Sequence, residues 1–583
     1  MNLKDYLNSA IVNALEQLNY DASNTLVSIS NRPDLSDYQS NVAMPLARLV
    51  KKSPSEIANK IKEFLMKDSA FAKVTVDGPG FINVSFSDDK LLEINISPKK
   101  FKKKIVLDYG GPNIAKEMHV GHLRSAIIGE SLKRILKLSG NDVIGDVHFG
   151  DWGTPIGMLI TQLKSENPES FENNFENFDM TISEISALYK RASANFKSDD
   201  DFKEAARVAT FELQNGNALY KKLWKILRDK SVEAVKANYD KLGVSFDLWL
   251  GESDTNEMLP KIVDDLLERN IAVHSNGAVI VPMDCHDSKQ DGNSSACADR
   301  GAKQEKAPLI LRKSDGAYTY AITDLATIVQ RVENYNPDAI LYVVDARQKE
   351  HFQQVFSVAR RAGYVKETIS LEHIAFGTVN GKDGKPFKTR EGNVMNLKDL
   401  IEFSESKARE ELSEVNEETE DQARKIAIGA LKFQDLKNLR TSNYVFDTEN
   451  FTKSEGKTGA YVQYAIARIN SILEKSNEQD IGEDLDTVGL KISHKAEREI
   501  LLQLNRFSES LEQAYIAREP SIISEYVYVL AQKFSTLYAE LPINGENDCS
   551  TRISRLKLCR IIKYILTQGL DLLGIEAPEK MLR

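Results

Sequence analysis

The stretch KIVLDYGGPNIAKEMHVGHLRSAIIGESLKRILKLSGNDVIGDVHF (104–149) limits the possible fold more than any other part of the chain. KIVLDY is a short β-rich run and GGP breaks it. From about 119 to 138 the apolar Leu123, Ile127, Leu132, Ile135 and Leu136 recur near helical period, closed by Gly140. NDVIGDVHF then reads as a second strand. Strand, loop, helix, strand is the opening βαβ unit of a doubly wound parallel sheet. Such sheets bind nucleotides in the loop between a strand's C-terminal end and the next helix, whose free N–H groups favour phosphate.

The rest of the chain is organised around that unit. At 583 residues it exceeds one ordinary core, so about three or four domains are expected. Residues 1–98 read as a small α/β domain. It has an N-terminal helix, a helix in SPSEIANKIKEFLMK (capped by Ser53, with Pro54 first and Glu56 placed for a capping box), and the strand–turn–strand AKVTV, DGPG, FINVSF. Residues 99–430 carry the sheet, interrupted at about 161–306 by a polar, helical insertion. Strand signals resume with APLILR, AYTYAI and AILYVV, followed by a helix at about 350–362. Residues 431–583 read as an all-α bundle. The expected fold is therefore multidomain α/β: a Rossmann-like catalytic sheet with an insertion, a small N-terminal α/β domain and a C-terminal helical bundle.

Composition narrows the setting. With 42% hydrophobic and 28% charged residues the chain is of the soluble globular class, and no apolar run approaches the roughly 20 residues that span a bilayer. The N-terminus mixes acids into an amphipathic helix and does not read as a signal peptide. Four cysteines form no disulfide framework and suit a reducing cytoplasm. Cys285, His286 and Cys297 offer at most three zinc donors without knuckle spacing, so a loop is expected there and no metal site. The net charge of −10 argues weakly against nucleic acid, because local basic faces decide phosphate contacts. Lys99, Lys100, Lys102, Lys103 and Lys104 are one such concentration, equally readable as a solvated run.

Into the loop after the first strand the sequence puts Lys116, His119, Gly121 and His122. Imidazoles can donate hydrogen bonds to phosphate oxygens as charge develops at phosphorus, and Gly121 leaves room for a base or ribose to approach. The alternative, a histidine pair that merely caps the helix, is weaker for two histidines flanking a glycine at a strand-to-helix turn.

His119-Val120-Gly121-His122 resembles the HIGH signature of class I aminoacyl-tRNA synthetases. PNIAKEMHVGHLRS, with GDWGT at 150–154, resembles the arginyl-tRNA synthetases in particular. The likeness continues in the family's order through DYQSNVAMPLA (37–47), GPGFIN (78–83), SDGAYTYAITDLA (314–326), YVVDARQKEHF (342–352), GKDGKPFKTREGNV (381–394), TGAYVQYAIARI (458–469) and LGIEAPEKM (573–581). It implies ATP-dependent activation of L-arginine to arginyl-adenylate, then transfer to the 3′ end of tRNA(Arg). Magnesium is expected with the ATP, and no tightly bound cofactor. A cytoplasmic, monomeric translation enzyme with no membrane partner is implied.

The resemblance also implies site residues. Lys385, Lys388 and Arg390 fall in the KMSKS-like ATP loop, where Thr389 replaces the second lysine; Lys116 is the residue thought to substitute. Tyr320 and Asp324, four apart on one side of a turn if AITDLATIVQRV is helical, match the guanidinium site, although a core Tyr and a surface Asp give the same spacing. Asn113, Gln348 and His119 would hold the amino and carboxyl ends, with Asp108 lining the pocket. Gly111 stands where many relatives have serine, and Pro155 where glutamine is common, which leaves the fine geometry of the pocket open. For tRNA, Tyr461, Tyr464 and Arg468 share a helix face suited to stacking on bases, or form a buried Tyr pair with a snorkelling Arg. Phe81 and Asn83 match positions implicated at the D-loop. Two rivals remain: another HIGH-type nucleotidyltransferase or synthetase, disfavoured by Tyr320 and Asp324, and a tRNA-binding protein without catalysis, disfavoured by the intact Lys116, His119, Gly121 and His122.

Overall fold

The computed structural model describes residues 1–23, 25–283, 306–384, 395–410, 412, 416–477 and 489–581. Cys285, His286 and Cys297, and the KMSKS-like Lys385, Lys388, Thr389 and Arg390, lie outside them. The chain forms two compact units: Lys100–Lys407 with Gln434–Glu449, and Met1–Lys99 with Ala408–Phe433 and Asn450–Arg583.

In the first of these units the βαβ stretch forms as its pattern predicts. Strand β1 (Lys104–Tyr109) leads through the histidine loop into helix α1 (Val120–Leu138) and strand β2 (Asp142–Asp146). β2 pairs parallel to β1, Lys104 opposite Asp142. β1 is buried from Ile105 to Tyr109, as a parallel strand covered on both faces must be. Helix α2 (Thr154–Glu166) leads from GDWGT into the stretch expected as the insertion, which contains α3 (Ile182–Ser198) and α4 (Ala218–Lys241). Helix α5 (Tyr320–Tyr335), strand β3 (Ala339–Asp345), helix α6 (Lys349–Arg361) and strand β4 (Ser370–Phe376) complete the sheet, in order β4-β3-β1-β2 with every pairing parallel. The chain leaves β1 toward β2 on one side and returns through β3 on the other. The crevice at the C-terminal ends of β1 and β3 is therefore the topological switch point, where such sheets bind ligands.

Two expectations need correction. AYTYAI is not a strand: only Tyr318 makes an isolated bridge, to Arg312, and Tyr320 opens α5. Its aromatics suit a strand locally, but Ala321, Ile322, Leu325, Ala326 and Ile328 bury at helical spacing against Ile340, Tyr342, Phe352 and Val355, and tertiary burial overrides propensity. APLILR is a strand (Lys306–Arg312), but it lies in a separate antiparallel sheet with Val273–Ser275 and Ala278–Met283. That hairpin turns on Asn276 and Gly277, with φ of 48° and 81°.

In the second unit the N-terminal strands form an antiparallel sheet in the order Val27–Ile29, Tyr38–Ser40, Phe81–Phe86, Phe71–Asp77. Ser53 caps the helix Pro54–Leu65 by accepting from the Glu56 N–H at 3.1 Å, while the Glu56 carboxylate lies 3.6 Å from both Lys52 and Lys60. The late helices share this unit. Arg498 clamps Asp37 through both carboxylate oxygens at 3.0 and 2.8 Å, and Tyr38 donates to Glu509 at 3.0 Å. Among the described residues the late region is helical apart from Tyr444–Val445, which belongs to the first unit and pairs there with Val379–Asn380.

Candidate active site

The loop after β1 is fastened at both ends of its histidine turn. His119 bridges Asn396, the Val120 N–H donates to the Met395 carbonyl at 3.1 Å, and the Leu397 N–H donates to the Met118 carbonyl at 2.9 Å. His119 is the N-cap of α1: its Nδ1 accepts from the Gly121 N–H at 3.0 Å, and His122 Nδ1 accepts from the His119 N–H at 3.0 Å. Because both Nδ1 atoms accept, the proton of each neutral ring sits on Nε2. Burial and then the nearby Lys116 charge lower the His119 pKa. Burial, His119 and Lys116 lower that of His122 to about 3. The rings therefore present two neutral Nε2–H donors, 4.0 Å between centroids, at the positive end of a helix.

Gly121 is required by the cap itself. A Cβ there would lie 2.7 Å from His119 Cε1, so the glycine makes room for the folded-back imidazole before it makes room for a nucleotide. A side chain at Gly111 would meet the His148 and Val147 carbonyl oxygens at 2.3 and 2.7 Å, so the backbone after β2 fills the space that a Cβ would need. Asn113 is exposed and bridges Gly150, with Oδ1 lying across that glycine. Pro155 sits in the first turn of α2, where no N–H is required. Lys116 makes no ion pair among the described residues; its Nζ lies 4.5 Å from the centroid of the Tyr189 ring.

Asp108 does not face the crevice as a free carboxylate. Arg331, on α5, donates to Asp108 at 2.6 Å and to Asp146 at 2.7 Å, all three side chains being buried. Burial raises the Asp108 pKa against the opposing pull of Arg331. For Asp146 burial also acts upward, but the His148 hydrogen bond and Arg331 outweigh it and hold the group below its ordinary value. Asp108, Asp146 and His148 could mimic a metal-ligand set, with ligand atoms within 4.8 Å of one another. The Arg331 guanidinium already supplies the positive charge there.

Tyr320 and Asp324 share the first turns of α5 as predicted from their spacing, with Tyr320 58% exposed. Asp324 Oδ2 lies 2.5 Å from His351 Nε2. Beside them stands a carboxylate without a motif, Glu252, at the start of a 3-10 turn (Glu252–Met258). Burial, then the charge of Asp324 and that of Asp151, push its pKa up to about 8, against the pull of His148. Burial, Glu252, Tyr189 and Asp324 in turn raise Tyr320. The turn is held by Asp151 of GDWGT, which accepts from Ser253 N at 3.0 Å, Ser253 Oγ at 2.7 Å and Arg228 Nε at 2.8 Å. Glu252 and Asp324 therefore form an acidic pair suited to a ligand cation. Gln348 ends the 3-10 turn after β3, exposed at the mouth of the crevice.

The residues matched to tRNA lie in the other unit. Tyr461, Tyr464 and Arg468 do share one face of helix α7 (Gly459–Asn477), all half-buried. Tyr461 donates to Ser535 at 3.1 Å, and the Arg468 guanidinium sits 4.7 Å from the Tyr464 ring and 4.9 Å from the Tyr538 ring. Tyr464, Arg468, Lys475, Tyr538 and Lys580 line a cavity of about 650 Å³. Phe81 is half-buried, whereas Asn83 is 7% exposed and donates to Asp77 at 2.7 Å.

A parallel sheet whose first crossover loop caps its helix with HVGH, followed by a late helical region, defines a class I aminoacyl-tRNA synthetase. Comparison with known proteins agrees along the chain. Residues 87–448 match the catalytic domain of the class I (R) tRNA synthetases, 2–86 the arginyl tRNA synthetase N-terminal domain, and 462–581 the DALR anticodon binding domain. An arginine–tRNA ligase of Francisella tularensis subsp. holarctica is 41% identical over 100% of both chains. One of Alkaliphilus oremlandii is 40% identical over 99% of both. The crystal structure of the Plasmodium falciparum arginyl-tRNA synthetase, 26% identical, superposes with a TM-score of 0.81 over 100% of this chain and 99% of that one. The chain belongs to the arginyl-tRNA synthetase family.

Proposed function

We propose that the chain is an arginine–tRNA ligase that forms arginyl-adenylate and diphosphate from ATP and L-arginine, then transfers the arginyl group to the 3′ end of tRNA(Arg) and releases AMP. The observation that carries this reading is the pairing of the capped HVGH turn with the acidic Asp324–Glu252 pair at one switch point. In the first step an arginine carboxylate oxygen attacks the α-phosphorus and the bond to the β,γ-diphosphate breaks. Negative charge moves onto the leaving group, and neutral Nε2–H donors at the start of α1 can meet it without a proton changing hands. Lys116 adds a point charge that the histidines lack. Asp324 and Glu252 hold the guanidinium beside Tyr320, while Asn113, Gln348 and His119 orient the reacting end. Asp108 acts through Arg331 to set the end of β1.

Magnesium accompanies ATP as part of the substrate. Lys385, Lys388 and Arg390 complete the phosphate site in this reading. Residues 1–98 and 431–583 serve the D-loop and anticodon through Phe81, Asn83, Tyr461, Tyr464 and Arg468, around the catalytic part 99–430. The enzyme works as a cytoplasmic monomer.

ATP–diphosphate exchange tests this. Exchange is expected with arginine alone among the amino acids and only when tRNA(Arg) is present. Exchange with lysine or cysteine would refute the substrate, and strong exchange without tRNA would refute the dependence on tRNA.

A further inference from the structure

The insertion grips three consecutive residues of the nucleotide loop, each through a different side chain. The Ala115 N–H donates to Ser231 Oγ of α4 at 2.9 Å. Lys116 lies over the Tyr189 ring of α3 at 4.5 Å. Glu117 accepts from Ser183 Oγ, in the first turn of α3, at 2.9 Å. Ala115 has a φ of 64°, a left-handed conformation that a side chain adopts only when its surroundings hold it there. The loop is thus shaped from outside the sheet, by a part of the chain that carries no signature motif.

The partners are chemically apt for a lysine that must stay available. The adjacent Glu117 carboxylate is engaged by Ser183 and by Asn396 (Nδ2, 3.0 Å), not by the Lys116 ammonium. An aromatic face attracts an ammonium without neutralising it or consuming its N–H donors in strong bonds. Tyr189 is itself anchored, packed against the small core of Met158, Ala192 and Ala206 within the insertion. Its phenol also contributes, after burial and Glu252, to raising the Tyr320 pKa.

We infer that Tyr189 is the positioning residue for Lys116: the insertion holds the loop's ammonium on an aromatic face, with no ion pair among the described residues, for use on the ATP phosphates. This rests on the role given to Lys116 above, and it assigns a task to the insertion. Tyr189 touches no reacting atom; it acts through Lys116.

The test is a double-mutant cycle on the full chain with tRNA(Arg), measuring kcat and KM for ATP in ATP–diphosphate exchange. Tyr189→Phe keeps the ring face; Tyr189→Leu keeps the packing on Met158 and Ala192 but removes it. Tyr189→Phe is expected to stay within about twofold of the parent, and Tyr189→Leu to lose roughly two- to fivefold in kcat/KM for ATP. In the Lys116→Ala background Tyr189→Leu is expected to cost nothing further. Exchange unaffected by Tyr189→Leu, equally impaired by Tyr189→Phe, or lowered by Tyr189→Leu to the same degree with and without Lys116 would each overturn the inference. If Lys116→Ala alone retains full exchange, the role of Lys116 falls and the inference with it. If Lys116→Ala is slow and Tyr189→Leu is not, only the inference falls.

Discussion

Glu252 makes arginine binding depend on pH in a way that can be worked through. Its carboxyl is pushed up to about 8, because burial, Asp324 and Asp151 all oppose its charge. A guanidinium needs the ionised form. Below pH 8 most of the protein carries a protonated Glu252, and binding must release that proton, so affinity rises as pH rises through 8. With a competent fraction of about 3% at pH 6.5 and about three quarters at pH 8.5, the apparent Kd for arginine tightens about 25-fold across that interval. Isothermal calorimetry in buffers of different ionisation enthalpy should also show nearly one proton released per arginine at pH 7. Glu252→Gln should flatten the profile and weaken binding at pH 8.5 by about ten- to a hundredfold, the cost of one charge-assisted hydrogen bond. A flat Kd between pH 6.5 and 8.5 in the parent protein, or an undiminished slope in Glu252→Gln, would refute the reasoning.

The remaining predictions concern the loop and the buried charges. In His119→Asn the amide oxygen replaces Nδ1 as the cap, so the denaturation midpoint should hardly move, while loss of the Nε2–H donor slows adenylate formation by about 10²–10³-fold. An unchanged exchange rate would show that the donor is unused. Gly111→Ser restores the residue common in relatives yet forces a Cβ against the His148 carbonyl oxygen at 2.3 Å. Urea unfolding should report a loss of about 1–3 kcal/mol. Arg331→Met leaves Asp108 and Asp146 buried without their shared guanidinium, with only His148 beside them, and should cost about 3–5 kcal/mol by the same measurement, a loss that shrinks in acid as the carboxylates protonate.

The β1–α1–β2 unit was readable because each of its signals is local: a β-rich run, a breaker, a 3.6-residue period and a closing glycine. The histidine turn was readable for the same reason. The hairpin at 273–283 carried an equally local signal, Asn276-Gly277 between apolar residues, which identifies a two-residue turn and could have been used. AYTYAI has the β-propensity of a strand but leads into the start of α5, because the burial that α5 gains against β3 and α6 has no signature in those six residues.

The charges that complete the site could not be read in this way. Arg331 meets Asp108 across 223 positions and Asp146 across 185, and in sequence it is one more cation in an amphipathic helix. Glu252 stands in a 3-10 turn with no motif, and its only sequence hint is GDWGT, whose Asp151 turns out to hold the neighbouring Ser253. Tyr189 lies in a polar insertion that sequence could place only topologically. All three act through electrostatics or aromatic contact, which depend on distance and burial and have no period along the chain. The division has a physical basis. Backbone devices that shape a phosphate site must be contiguous, because they use successive N–H groups of one turn. The groups that set charge around it need only converge in space. The pH profile of Glu252 and the Lys116–Tyr189 cycle therefore probe the part of this enzyme that only its fold assembles.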